Sequence, residues 1–141
     1  MATLLLKTEP SEYSFADLRR EKRCAWTGVS NPGARIALRA ARTGDEALIY
    51  HTGDERAIVG LARVARGAYE DPGRPGLTPE ALPLWPLIDL SPLRLATTPL
   101  GLAAIKADAR FKEFALVRQG RLSAMAVPPE LDAILRMLAG L

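Results

Sequence analysis

Within a dozen positions, Cys24 to Arg35 brings together an indole (Trp26), an amide (Asn31), two glycines (Gly28 and Gly33) and the start of a helix. Gly28, Ser30, Asn31 and Gly33 favour turns, which places Trp26 in a turn-rich segment. Asn31-Pro32 reads as an N-cap followed by the first helical residue. The amide accepts from a free backbone N–H, and proline lacks a donor that would be orphaned there anyway. An aromatic plate beside a helix N-terminus suits a flat polar ligand, but a core tryptophan next to a capping asparagine gives the same pattern. Two further stretches, Lys7-Thr8-Glu9 and Tyr50-His51-Thr52, each end an apolar run in polar side chains. Opening onto the Trp26 loop, Lys7, Thr8, His51 and Thr52 would surround an aromatic floor with donors and acceptors. Such a set holds a nucleobase by stacking and by hydrogen bonds to its edge. Taken alone, the same residues are ordinary strand-terminal polar groups.

Other chemistries find less support. One histidine and one cysteine, with no H-x-x-x-H or paired C-x-x-C spacing, do not make a metal site. No glycine-rich phosphate loop is present, and no cofactor is implied. His51 is the one histidine available to activate Ser123 or Cys24, yet no nucleophile-elbow Gly-x-Ser-x-Gly accompanies it. Glu9 and Glu12 read as turn residues, not as a paired acid and base. Recognition without catalysis is therefore the leading expectation. The alternative is a small-ligand-binding protein or a hydrolase-type enzyme using His51.

The elements that must position these residues follow from periodicity and punctuation. Thr3 to Lys7 reads as a strand stopped by Pro10, and Ser14 with Asp17 has capping-box spacing for a helix over Phe15 to Arg20. A second helix is predicted from Pro32 to about Arg42. It carries Arg35, Arg39 and Arg42 as an i, i+4, i+7 stripe, with Ile36 and Ala40 one turn apart. That stripe is either a line of guanidinium groups following a phosphate backbone or the solvated face of an amphipathic helix. Glu46–His51 and Ala57–Val64 read as an antiparallel pair around Thr52-Gly53-Asp54-Glu55, with Gly60 permitting a close approach. Residues 70–86 form a loop rich in proline and glycine. Leu87 to Leu95 is a strand with Pro92 at an edge or bulge, and Leu100 to Ala107 is a short helix. A turn over Arg110 to Phe114, a strand over Leu122 to Val127 and a helix over Pro129 to Ala139 close the chain. The sum is an α+β fold on a small, barrel-like sheet.

Composition narrows the class and leaves the partner open. The 141 residues fit one domain, and 48% hydrophobic with 25% charged residues is ordinary for a globular chain. No apolar run reaches bilayer length, and Leu4-Leu5-Leu6 is too short for a signal-peptide core, so the expected location is the cytoplasm. A net charge of +3 is compatible with a nucleic-acid partner without requiring one.

Taken in order, several motifs resemble the EVE domain family over almost the whole chain. They are Leu5-Leu6-Lys7-Thr8-Glu9-Pro10, Trp26-Thr27-Gly28-Val29-Ser30-Asn31, Ala34-Arg35, Gly44-Asp45, Tyr50-His51-Thr52, Ile58-Val59-Gly60 and Arg121-Leu122-Ser123. The resemblance implies a single domain over residues 1–141 with a PUA-like fold. That fold is a mixed, mostly antiparallel pseudobarrel of five to six short strands with flanking helices. It also implies a non-catalytic pocket that reads a modified base in DNA or RNA. In that mapping Trp26 is an aromatic wall, and Lys7, Thr8, Asn31, His51 and Thr52 are polar contacts. Gly28 and Val29 offer backbone groups, Ser123 closes the site, and Arg35, Arg39 and Arg42 hold phosphates. This chain departs from the family pattern in having Pro32 and Ile36 where many relatives carry tyrosine and asparagine. Thr8 and Thr52 stand in place of serines, and the 70–86 loop is short and proline-rich.

Overall fold

Three consecutive leucines set the layering. In β1 (Thr3–Thr8), Leu4 and Leu6 join the core on one side of the sheet and Leu5 joins the core on the other, all three buried. That is the two-residue period of a strand apolar on both faces, and such a strand needs cover on both. The computed structural model, which describes residues 1–141, supplies that cover with helices on each side. Five more strands complete the sheet: β2 (Cys24–Trp26), β3 (Glu46–His51), β4 (Ala57–Glu70), β5 (Pro86–Gly101) and β6 (Ala124–Ala126). Their order is β2-β5-β4-β3-β1-β6, with β1 and β3 parallel and the other pairs antiparallel.

Helices α1 (Phe15–Glu21) and α2 (Pro32–Arg39) contribute Phe15, Leu18, Ala34, Ala37 and Leu38 to one core. The opposite core takes Ile105, Phe111, Leu116 and Leu135 from α3 (Leu102–Ala107), a 3-10 turn (Ala109–Phe111), α4 (Ala115–Arg118) and α5 (Pro129–Ala139). The register of β4 against β5 slips at four places, and each bulge adds bend and twist. The result is a sheet curled into a half-barrel, the mixed α+β, PUA-like architecture that the sequence led us to expect. No helix is long and apolar enough to cross a membrane.

Local chemistry accounts for most boundaries. Ser14 accepts from the Asp17 N–H while Asp17 accepts from the Ser14 N–H, completing the capping box at α1. The Asn31 Oδ1 accepts from the N–H groups of Gly33 (2.8 Å) and Ala34 (3.2 Å) at the start of α2. Gly140 ends α5 in the left-handed conformation. Pro92 sits beside a register slip and beyond the β2 pairing, so its missing N–H orphans no partner.

Four expectations are corrected. Trp26 ends a strand, because Cys24, Ala25 and Trp26 pair with Leu90, Asp89 and Ile88, and the turns begin only at Thr27. α2 stops at Arg39, since the Asp45 carboxylate captures the Arg42 N–H at 2.8 Å and ends the helical ladder. The inner face of α2 is Ala34, Ala37 and Leu38, while Ile36 is 63% exposed. Finally, β4 runs on to Glu70 and β5 to Gly101, carried by bulges that keep a long two-stranded ribbon in contact.

The close approach at Gly60 is to Phe15. A Cβ there would lie 2.7 Å from the Phe15 ring, whose side chain is fully buried under α1. Gly60→Ala is expected to lower stability by about 1–3 kcal/mol, as overpacking does. Urea denaturation checks this, and an unchanged midpoint would mean that Phe15 and α1 yield freely.

Candidate functional site

The two ends of the sheet, β2 and β6, do not pair with each other. α2 packs against β6 and β5 and fills part of the gap between them. The rest is a cavity of about 310 Å³, lined by the end of β1, all of β2, the Thr27–Val29 turn, and Ser123 just before β6.

Of the residues proposed from sequence, Lys7, Thr8, Trp26, Gly28, Val29 and Ser123 meet here. Lys7 is half-buried; its Nζ donates to the Gly120 carbonyl at 3.0 Å and lies 5.7 Å from the Tyr50 ring centroid. Burial lowers the Lys7 pKa from the ordinary lysine value. Gly120 and Tyr50 lie on the Leu5 side of the sheet, so the ammonium points away from Trp26 and Tyr13. Thr8 Oγ1 donates to the Tyr13 carbonyl at 2.6 Å, which leaves its lone pairs. Gly28 adopts φ +79°, turning the chain after Trp26 in a conformation glycine tolerates best.

Trp26 is mostly core. Only 7% of it is exposed, and its ring meets Tyr13 edge-on, with centroids 6.1 Å apart and planes at 80°. Tyr13 is the second aromatic lining, and its hydroxyl donates to Glu21 at 3.1 Å. Burial, with Cys24 and Glu21 beside it, pushes the phenol pKa up, so Tyr13 stays protonated.

The sequence reading missed Tyr13, Glu9, Glu12, Cys24, Ala25 and Thr27. The signal for the first three lay in the capping box. It fixes the start of α1, so residues 9–13 turn back over the end of β1, with the N–H groups of Glu12 and Tyr13 both donating to the Glu9 carbonyl at 2.9 Å. Glu9 itself is engaged, accepting from Thr52 Oγ1 (3.0 Å) and from the Ser11 N–H and hydroxyl; these bonds hold its pKa low. Glu12 is exposed and carries no such bond. Cys24 donates its thiol to the Ala25 carbonyl at 3.1 Å.

Three expected contacts lie outside the cavity lining. Asn31 is occupied as the helix cap. Thr52 bonds Glu9 from behind the β1 end. His51 is buried: its Nε2 accepts from the Phe15 N–H at 3.0 Å, and its Nδ1 faces Glu55 Oε1 at 2.7 Å. An Nε2 that accepts makes Nδ1 the protonated nitrogen. Both ring nitrogens are engaged, and the base required by the His51 enzyme alternative is not free.

Two of the three stripe arginines are engaged by the 70–86 loop, while Arg42 lies beyond the end of α2 and its side chain makes no hydrogen bond. Arg35 donates to the Ser30 and Leu84 carbonyls, both at 3.1 Å. Arg39 donates to Pro83 (2.7 Å) and Leu84 (3.0 Å). Arg35 and Arg74 also flank Trp85, at 4.1 and 4.3 Å from its centroid. The loop is thus latched along α2, and through Ser30 it braces the turn that rims the cavity.

A family model described as "EVE domain" matches residues 2–137. Thymocyte nuclear protein 1 of Homo sapiens is 31% identical over 122 residues, which is 72% of this chain and 54% of the relative. The chain therefore spans about half the length of that curated relative. A crystal structure of a Pseudomonas putida protein aligns with TM-score 0.84 at 36% identity, covering 98% of this chain and 99% of the other. The crystal structure of human THYN1 protein in complex with 5-methylcytosine-containing DNA aligns with TM-score 0.83 at 26% identity, covering 98% of each chain.

Replacing His51 by Leu leaves the buried Phe15 N–H without an acceptor. A stability loss of about 1–3 kcal/mol is expected, with ligand affinity of the folded fraction unchanged. Calorimetric melting and binding measured well below the transition separate the two effects; an affinity loss in a fully folded variant would return His51 to the site.

Proposed function

The chain belongs to the EVE domain family, and on that premise we propose that its seam cavity takes a modified base, of the methylated-cytosine kind, from a DNA strand. The observation that carries this reading is the cavity itself, which opens between two unpaired sheet ends with Tyr13 and Trp26 on its wall. Its volume of about 310 Å³ is at the small end of ligand pockets. That size accommodates a single base. The relative solved with methylcytosine-containing DNA lends the base its identity.

The lining suits a cytosine edge. The Ser123 hydroxyl offers a donor to the ring carbonyl or ring nitrogen, and the free Glu12 carboxylate offers an acceptor to the exocyclic amine. Thymine lacks that amine. The flat faces of the base meet the aromatic edge of Tyr13 and the exposed part of Trp26. Val29, 8% exposed, is the apolar surface available to an added methyl group. No step makes or breaks a covalent bond, which agrees with the occupied state of His51.

Fluorescence anisotropy of matched DNA and RNA oligonucleotides, with and without 5-methylcytosine or N6-methyladenine, tests this directly. Methylcytosine DNA is expected to bind more tightly than its unmodified twin. Filling the cavity with Ser123→Leu, or trimming its wall with Trp26→Phe, is expected to lose that gain, about 5- to 100-fold for a base contact of this kind. Equal affinity for modified and unmodified strands would sink the reading, and a preference for RNA would move it to another polymer.

A further inference from the structure

At the C-terminal end of α2, away from the seam cavity, lies an open concavity of about 580 Å³, bounded by the end of α2, the 41–43 turn, β4 near Gly67, and the 70–86 loop at Leu82 and Pro83. Three arginines line it (Arg39, Arg42 and Arg66), and no carboxylate does. None of the three makes an ion pair. Two carboxylates stand close by, Asp45 on the Arg42 backbone and Asp89 within electrostatic reach of Arg66, but neither pairs with a guanidinium that lines the concavity. Asp45 accepts from the N–H groups of Ala2 and Arg42, and Asp89 accepts from Arg23 and Tyr69.

The cations are also held in position. Arg39 is fixed by the Pro83 and Leu84 carbonyls, and Arg66 lies 3.7 Å from the centroid of the Tyr69 ring. Gly67 brings the two sides together. A Cβ there would be 2.9 Å from the Thr43 nitrogen, and its N–H donates to Thr43 Oγ1 at 2.9 Å. That bond uses an oxygen lone pair of Thr43 and leaves the hydroxyl proton to donate outward. Guanidinium groups without an ion-pair partner, two of them held in position, with a hydroxyl donor among them, match the oxygens of a phosphodiester.

We propose that this concavity is a second contact, taking backbone phosphates of the DNA whose base enters the seam cavity; it rests on the function proposed above. Continuity along α2 favours a polymer over a free anion. Arg35 touches Ser30 at the rim of the first cavity, and Arg39 stands at the edge of the second. The eight residues of α2 span roughly 12 Å. About three phosphates of one strand occur over that length.

The test is a salt titration of binding to a duplex carrying one 5-methylcytosine and to its unmodified twin, with wild type and with Arg42→Gln/Arg66→Gln. Neither side chain makes a hydrogen bond or ion pair, and melting confirms that the variant is folded. The slope of log affinity against log salt is expected to become shallower by about 0.9 per lost phosphate contact, equally for both duplexes, with methyl preference intact. An unchanged slope with preference retained overturns the second site alone. A shallower slope in a protein blind to methylation upholds the phosphate site and overturns the base reading. Absence of DNA binding by the wild type overturns both.

Discussion

The sheet curls without closing, and the rest of the molecule answers to that constraint. Six strands with repeated bulges bend far enough to bring β2 and β6 towards each other, yet the two never pair. An unpaired edge leaves backbone donors and acceptors to be covered or wetted. Here α2 covers part of the gap with alanines and Leu38, side chains short enough to let a helix sit close to strands. Where α2 gives way to the Thr27–Asn31 turn, the gap stays open. The cavity is thus the unfilled remainder of a seam, and its mixed lining follows from where it lies.

Holding that seam open requires the surrounding turns to be rigid. The Asn31 cap fixes the start of α2, and Arg35 ties Ser30 on one side to Leu84 on the other. The long ribbon of β4 and β5 gives the 70–86 loop its base, and Arg35 over Trp85 holds the loop against the helix while Arg74 packs on the same ring from within the loop. Behind the opposite wall, His51 bonds the Phe15 N–H and the Glu9–Thr52–Ser11 cluster secures the chain after β1. The polar residues that look most reactive in the sequence are mostly structural fasteners. On the cavity side, Thr8 and Ser123 keep hydrogen-bonding capacity that the fold does not use.

This difference sets what could be read from the sequence. Caps, turns and two-residue periodicity are local, so β1, α1, the start of α2, β3 and α5 were legible from their own residues. The extent of β4 and β5 was not, because bulged pairing depends on the partner strand. Cys24–Trp26 is too short to signal a strand; it becomes one only beside Ile88–Leu90. The site was legible to the degree that its residues occupy strand ends. Trp26, Lys7 and Ser123 converge as expected, while Asn31 and His51 have the right chemistry in engaged positions. Tyr13 and Glu12 needed the fold, since only the turn from Glu9 to Ser14 brings them over the cavity.

Arginine use on α2 separates binding strength from selectivity. A guanidinium with its donors on backbone carbonyls keeps its full charge, because a carbonyl does not neutralise it. The latch therefore consumes hydrogen bonds from Arg35 and Arg39 while leaving both charges in the surface field, together with Arg42 and Arg66. That field acts over about a Debye length and is indifferent to base identity. The seam cavity is the reverse: small, partly desolvated, and responsive to one ring and its substituents. A wet surface of charges and a narrow cavity of partly satisfied donors put two kinds of physics on one small chain, one long-ranged and one set by close contact. The turn that leads into α2 rims the cavity and the last residue of the helix, Arg39, stands among the charges, so the packing of α2 against β5 and β6 sets the position of both.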